Sequence, residues 1–112
     1  SFLDRAFYVA SVNGGLFRHK IGASVVAVRR SGGIPVFDQL NNFINYSEMI
    51  MPTSNYWNVA YGAAPGEVTQ DEEGMQIMRV LGNNMAFLMN ALEGTKATMY
   101  AQKMKIKYLH VL

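Results

Sequence analysis

Apolar and polar positions divide the chain into stretches of distinct period. Ile21 to Val28 (IGASVVAV) runs small and apolar with hardly a polar break. A strand wetted on one face alternates, whereas one covered on both faces reads as a continuous apolar run, so this stretch predicts a buried strand. Arg29-Arg30-Ser31-Gly32-Gly33 ends it, with two glycines free to take positive φ. Pro35 suits a first helical position. Val36, Phe37, Leu40, Phe43 and Ile44 then share one helical stripe, opposite Asp38, Gln39, Asn41, Asn42 and Asn45. The loop therefore leaves the carboxyl end of a strand and opens a helix, which is where open parallel sheets bind ligands.

The remaining stretches are read the same way. Ser1 to Tyr8 predicts a helix with Phe2, Leu3, Ala6 and Phe7 on one side, and its abrupt start reads as the end of a longer helix. Val9 to Lys20 is a connection with a turn at Asn13-Gly14-Gly15. Glu48 to Met51 is a short second strand, stopped by Pro52. Strand, helix and strand of these lengths predict a right-handed crossover and parallel strands. Thr53 to Tyr61 is a loop carrying the only tryptophan. Asp71 suits an N-cap, and Glu72 and Glu73 suit the positive end of a helix dipole. Met75, Met78, Leu81, Met85, Leu88 and Leu92 carry that helix to Glu93, and Gly94 ends it. Lys103 to Tyr108 alternates with period two, as a lysine-protected edge strand or a mobile end would.

Composition narrows the function classes. The 112 residues make one domain at most, and 16% charged with 50% hydrophobic residues marks a globular chain. A net charge of +2 is too small to argue for nucleic acid, and Lys96, Lys103, Lys105 and Lys107 place the excess in the tail. With no cysteine there is no thiolate nucleophile, disulfide or cysteine-ligated cluster within this segment. No apolar run approaches the roughly 18 residues of a membrane span. His19 and His110 are isolated and read as structural. Glu72 and Glu73 read as helix-start charges, and the methionines as core or oligomer interface.

FLDRAFY, GASVVAVRRSGG, FDQLNNFI, SNYWN, PGEV and DEEG, in that order over Ser1 to Leu92, resemble the C-terminal half of flavodoxin-like, NADPH-dependent FMN reductase family proteins. The resemblance implies an α/β, flavodoxin-like three-layer α/β/α fold around a parallel sheet. It also implies incompleteness, the N-terminal strands and the phosphate loop lying upstream, and leaves open whether that missing half carried the cysteine motif of related iron–sulfur flavoproteins. Residues 1–95 would be the C-terminal half of an FMN-binding domain, and 96–112 a basic tail or edge strand. The implied protein is a cytoplasmic FMN-dependent oxidoreductase, NAD(P)H being the electron donor, assembled as a dimer or tetramer, with no nucleic-acid or membrane partner.

In such a protein the flavin does the chemistry, and no catalytic side chain need exist. Arg29, Arg30, Ser31, Gly32 and Gly33 are the candidate contacts to the flavin ring, with Tyr56 and Trp57 beside it. The ring's pyrimidine edge carries carbonyl acceptors and gains negative charge on reduction, which backbone N–H groups and a guanidinium stabilise. FMN binding by this chain alone is expected to be weak, because the phosphate's cradle lies upstream. Other readings stand beside these. The arginines suit a solvated pair, and the two aromatics a hydrophobic plug. The chain suits a truncated, non-catalytic protein that keeps the oligomer interface but binds no cofactor, or a module holding a phosphate with Arg29, Arg30 and the helix N-terminus.

Overall fold

The computed structural model describes residues 1–94. Their elements are α1 (Phe2–Val12), β1 (Val26–Val28), α2 (Gly33–Tyr46), β2 (Val59–Tyr61), a 3-10 turn (Glu67–Gln70) and α3 (Glu72–Glu93). The arrangement is α/β, a two-stranded parallel sheet with three helices, and is compatible with part of a flavodoxin-like fold. The tail, with Lys103–Tyr108 and His110, lies outside the described residues.

β1 and β2 pair in the register Val26↔Val59, Ala27↔Ala60 and Val28↔Tyr61. The parallel pairing matches the sequence expectation, but the partner strand does not. Glu48 to Met51 forms no strand among the described residues. It contributes one parallel bridge, Ile21↔Ile50, at the foot of the sheet. Pro52 has no N–H to continue a ladder, and the chain runs on through a loop before pairing again at Val59. The stretch read as a buried strand from Ile21 is likewise ladder-paired only at Val26–Val28. In the gap the Asn58 side chain takes over, its Nδ2 donating to the Ser24 carbonyl at 3.0 Å. The Ser24 hydroxyl in turn donates to Asn41 of α2. Asn58 is only 4% exposed, so this polar bridge ties both strands to the helix from within.

Strand alternation decides the layers. A Cβ placed on Gly33 of α2 would lie 2.8 Å from Val59 and 3.3 Å from Val28, so α2 covers the face bearing those valines. A Cβ on Gly74 of α3 would lie 2.9 Å from Ala60, whose side chain points the other way, so α3 covers the opposite face of β2. Phe37 and Ile44 are buried on α2, and Ile77 and Leu81 on α3. α1 joins through Phe7, whose ring centroid is 5.2 Å from Phe43 and 5.0 Å from Phe17. It runs four residues beyond Tyr8, and its C-terminal cap is Asn13, in the turn expected there. The methionine stripe is displaced from expectation. The buried line on α3 is Gly74–Ile77–Leu81, with Met75 and Met78 half-buried at its flanks.

Candidate functional site

β1 ends at Val28, and the next four residues turn the chain into α2. Gly32 is the N-cap of α2 at φ 84°, a left-handed conformation that side-chain-bearing residues adopt at a cost. Among the described residues no side chain caps this helix. The N–H groups of Ser31, Gly32 and Gly33 have no backbone acceptor among the described residues. Successive donors around one left-handed residue at a helix start form a concavity suited to negative charge. Arg29, Arg30 and Ser31 are exposed, and neither arginine side chain forms an ion pair or hydrogen bond among the described residues. Gly33 is buried, and its missing side chain lets the helix start settle onto Val59.

The start of α3 is built differently. Asp71 Oδ1 accepts the Gly74 N–H at 3.0 Å, and Oδ2 accepts the Tyr61 N–H at 2.9 Å. One carboxylate thus caps α3 and the outer edge of β2 together. These donors, Gly74 first and then Tyr61, hold its carboxyl below the usual range. Glu67 is lowered for the same reason by the N–H groups of Ala64 and Ala63. A carboxylate depressed in the folded state contributes stability that is present above its unfolded pKa and is lost as pH falls through its folded one. Asp71→Asn keeps one acceptor oxygen but loses the charge. It is expected to lower the melting temperature at neutral pH and to shallow the loss of stability below the ordinary carboxylate range. Superimposable melting temperatures for variant and parent across that pH series would contradict the dual-cap role.

Tyr56 and Trp57 stand on the loop before β2, with ring centroids 4.5 Å apart in an edge-on contact. The loop is fastened to α3: the Ser54 hydroxyl donates to the Ile77 carbonyl at 2.7 Å, and Asn84 Nδ2 to the Thr53 carbonyl at 2.7 Å. The aromatics are not a buried plug, being 59% and 51% exposed. With Ile34 from the first turn of α2, Tyr61 from the end of β2, and Asp71, Glu73 and Ile77 from α3, they line a cleft of about 230 Å³. Of the sequence candidates, Tyr56 and Trp57 meet in this cleft. Arg29 to Gly33 do not line it, although Ile34 follows directly on Gly33. Ile34 and Tyr61 were not singled out from the sequence, and Glu73, read there as a helix-start charge, also lines the cleft. Tyr61, the last residue of an unrecognised strand, would have been the one available signal.

Among the described residues no group of His, Asp and Glu is placed to hold a metal ion, and no helix is long and apolar enough to cross a membrane. No family model and no solved structure matches the chain. Over 76 residues it is 33% identical to an iron–sulfur flavoprotein of Methanocaldococcus jannaschii, an alignment covering 62% of this chain and 39% of that protein. The chain thus spans well under half of that relative's length, and its similarity is to a flavoprotein.

Proposed function

We propose that this chain carries the flavin-ring side of an FMN site in an NAD(P)H-dependent, flavin-reductase-like oxidoreductase. The observation that supports it most is the turn at Gly32: N–H groups unengaged among the described residues at a helix start without a side-chain cap, beside two arginines with no described partner. The similarity to a flavoprotein supports it independently. The residues present fit such a ring, since a Cβ at Gly32 would meet nothing within 4 Å among the described residues beyond its chain neighbours, leaving open space against the donors. When bound, the flavin supplies the redox chemistry, taking hydride from a nicotinamide and passing electrons to an acceptor. Ser31 to Gly33 hold its pyrimidine edge by backbone N–H groups, and Arg30 supports negative charge there, with Arg29 adding to the same positive field. Tyr56 and Trp57 flank the ring and exclude water. Residues 1–95 form the C-terminal half of this FMN domain, and the phosphate is bound by other residues, so the chain alone holds FMN weakly.

Titration of flavin with the purified chain, followed by flavin fluorescence, tests this. Saturable quenching supports a ring site, and fluorescence that stays at the value of free flavin overturns it. A second reading, a non-catalytic chain that assembles without cofactor, is favoured by one feature: Phe87 is 75% exposed on α3, with Met89 near it and Phe2 on α1 also exposed. These apolar positions suit a homodimer or homotetramer under either reading.

A further inference from the structure

The two edges of the sheet are finished differently. Val26 donates its N–H to the Asn58 carbonyl at 2.9 Å, and Gly62 donates to the Val28 carbonyl at 2.9 Å, so Val26 and Val28 face β2. By strand alternation Val25 and Ala27 direct their N–H and C=O groups the other way, where no backbone partner meets them among the described residues. Their side chains stand on the face away from α2, both exposed, Val25 at 54%. The outer edge of β2 is closed instead. The Val59 N–H is taken by the Trp57 carbonyl at 2.8 Å, and the Tyr61 N–H by Asp71 at 2.9 Å. Only the β1 edge is left ready to pair, and an open apolar edge is a template for a further strand.

The connections decide which edge the chain itself can reach. Gly74 lies against Ala60, and Asn84 Nδ2 donates to the Thr53 carbonyl, so α3 runs back along β2 toward the foot of the sheet. A strand following α3 therefore runs parallel to β1 and β2. α2 and α3 cover opposite faces. With both crossovers right-handed, as about 98% are, α2 carries the chain from β1 out to β2, and α3 carries it back to the far side of β1. That is the open edge. Eight residues separate Gly94 from Lys103. Extended, they reach roughly 30 Å, against about 10 Å for two strand spacings. We propose that residues 103–108 of this chain add to the open edge of β1 as a third, parallel strand. Met104, Ile106 and Tyr108 continue the row of Val26 and Val28 on the α2 side, and Lys103, Lys105 and Lys107 lie on the open face beside Val25 and Ala27. The lysines then keep a fourth strand from joining. This assignment does not rest on the flavin reading.

Backbone amides report on this edge directly. In the isotopically labelled full chain, the Val25 and Ala27 amides are expected to exchange with solvent about as slowly as those of Val26 and Gly62, which are bonded within the sheet. The Ala27 amide is expected to show a nuclear Overhauser contact with an α-proton in residues 103–108. Both features persist on dilution, as for a contact within one chain. With its side chain on the α2 side, Ile106 directs its N–H at β1, as Val26 directs its own at β2. Ile106→Pro removes that donor, and exchange at Val25 and Ala27 is expected to quicken about tenfold or more while Val26 and Gly62 stay protected. Thr98→Pro, in the connecting segment, is the control and changes neither pair. Rapid exchange at Val25 and Ala27 in the parent overturns the proposal. So does an Overhauser contact with any other segment, or protection that survives Ile106→Pro. Protection that disappears on dilution also overturns it, and puts a second copy of the chain on the edge. If Ile106→Pro also strips protection from Val26 and Gly62, the variant has unfolded, and the Overhauser contact in the parent decides.

Discussion

Gly74→Ala destabilises the chain by about 1–3 kcal/mol, whereas Gly82→Ala, further along the same helix, stabilises it by about 0.5–1 kcal/mol. Alanine in a helix interior is ordinarily preferred to glycine, and at Gly82 no described residue outside the helix's own backbone lies within 4 Å of a Cβ to oppose that preference. At Gly74 the same Cβ would fall 2.5 Å from Asp71 Oδ2 and 2.9 Å from Ala60. Ala60 is buried in the two-stranded sheet and has little room to yield. Either α3 lifts away from β2 or the Asp71 cap opens, and both separate the end of β2 from the start of α3. Thermal melts of the two variants beside the parent check the pair. A drop on the order of 10 °C at Gly74 is expected for a domain of this size, with a small rise at Gly82. Equal shifts at the two positions would show that α3 does not approach β2 as closely as described.

Gly32→Val weakens flavin-ring binding tenfold or more, while Gly32→Asn retains most of it. The left-handed conformation at Gly32 is costly for a β-branched residue, on the order of 1–3 kcal/mol, and mild for asparagine. Packing does not confuse the comparison, since a Cβ at this position meets no described residue beyond its chain neighbours within 4 Å. The variants therefore separate the effect of backbone shape from that of lost contacts. Valine pulls the turn toward negative φ and turns its N–H groups away from the common centre where a ring carbonyl would be held. Flavin-fluorescence titrations of both variants measure this. Affinities equal to that of the parent would remove the turn from the site.

How far the sequence carried depended on how local each feature is. The end of β1 at Val28, the turn at Gly32 and the stripe through Phe37 and Ile44 lie within one short run, and each was legible from its own residues. β2 was not. Val59 to Tyr61 is three residues long, follows an aromatic and polar loop, and becomes a strand only because β1 lies beside it. Glu48 to Met51 looked more strand-like, but it gives the sheet only one bridge. On α3 the hydrophobic pattern drew attention to Met75 and Met78. The closest approach to the sheet is at Gly74, a residue that a count of apolar side chains passes over. In the site, the glycine pair announced a special turn by residue type alone. The cleft could not be read in that way, because Tyr61 and Glu73 meet only when the end of β2 is fastened by Asp71 to the start of α3.

The central claim, that the Gly32 turn holds a flavin ring and not a phosphate, is tested most directly by titrating the chain with riboflavin and FMN in parallel. The two ligands share the ring and differ only in the phosphate. Binding by the ring predicts weak, saturable quenching with closely similar dissociation constants for both, in the range above about 10 µM. FMN bound much more tightly than riboflavin would make the turn a phosphate site, and no saturable binding of either would contradict the flavin assignment altogether.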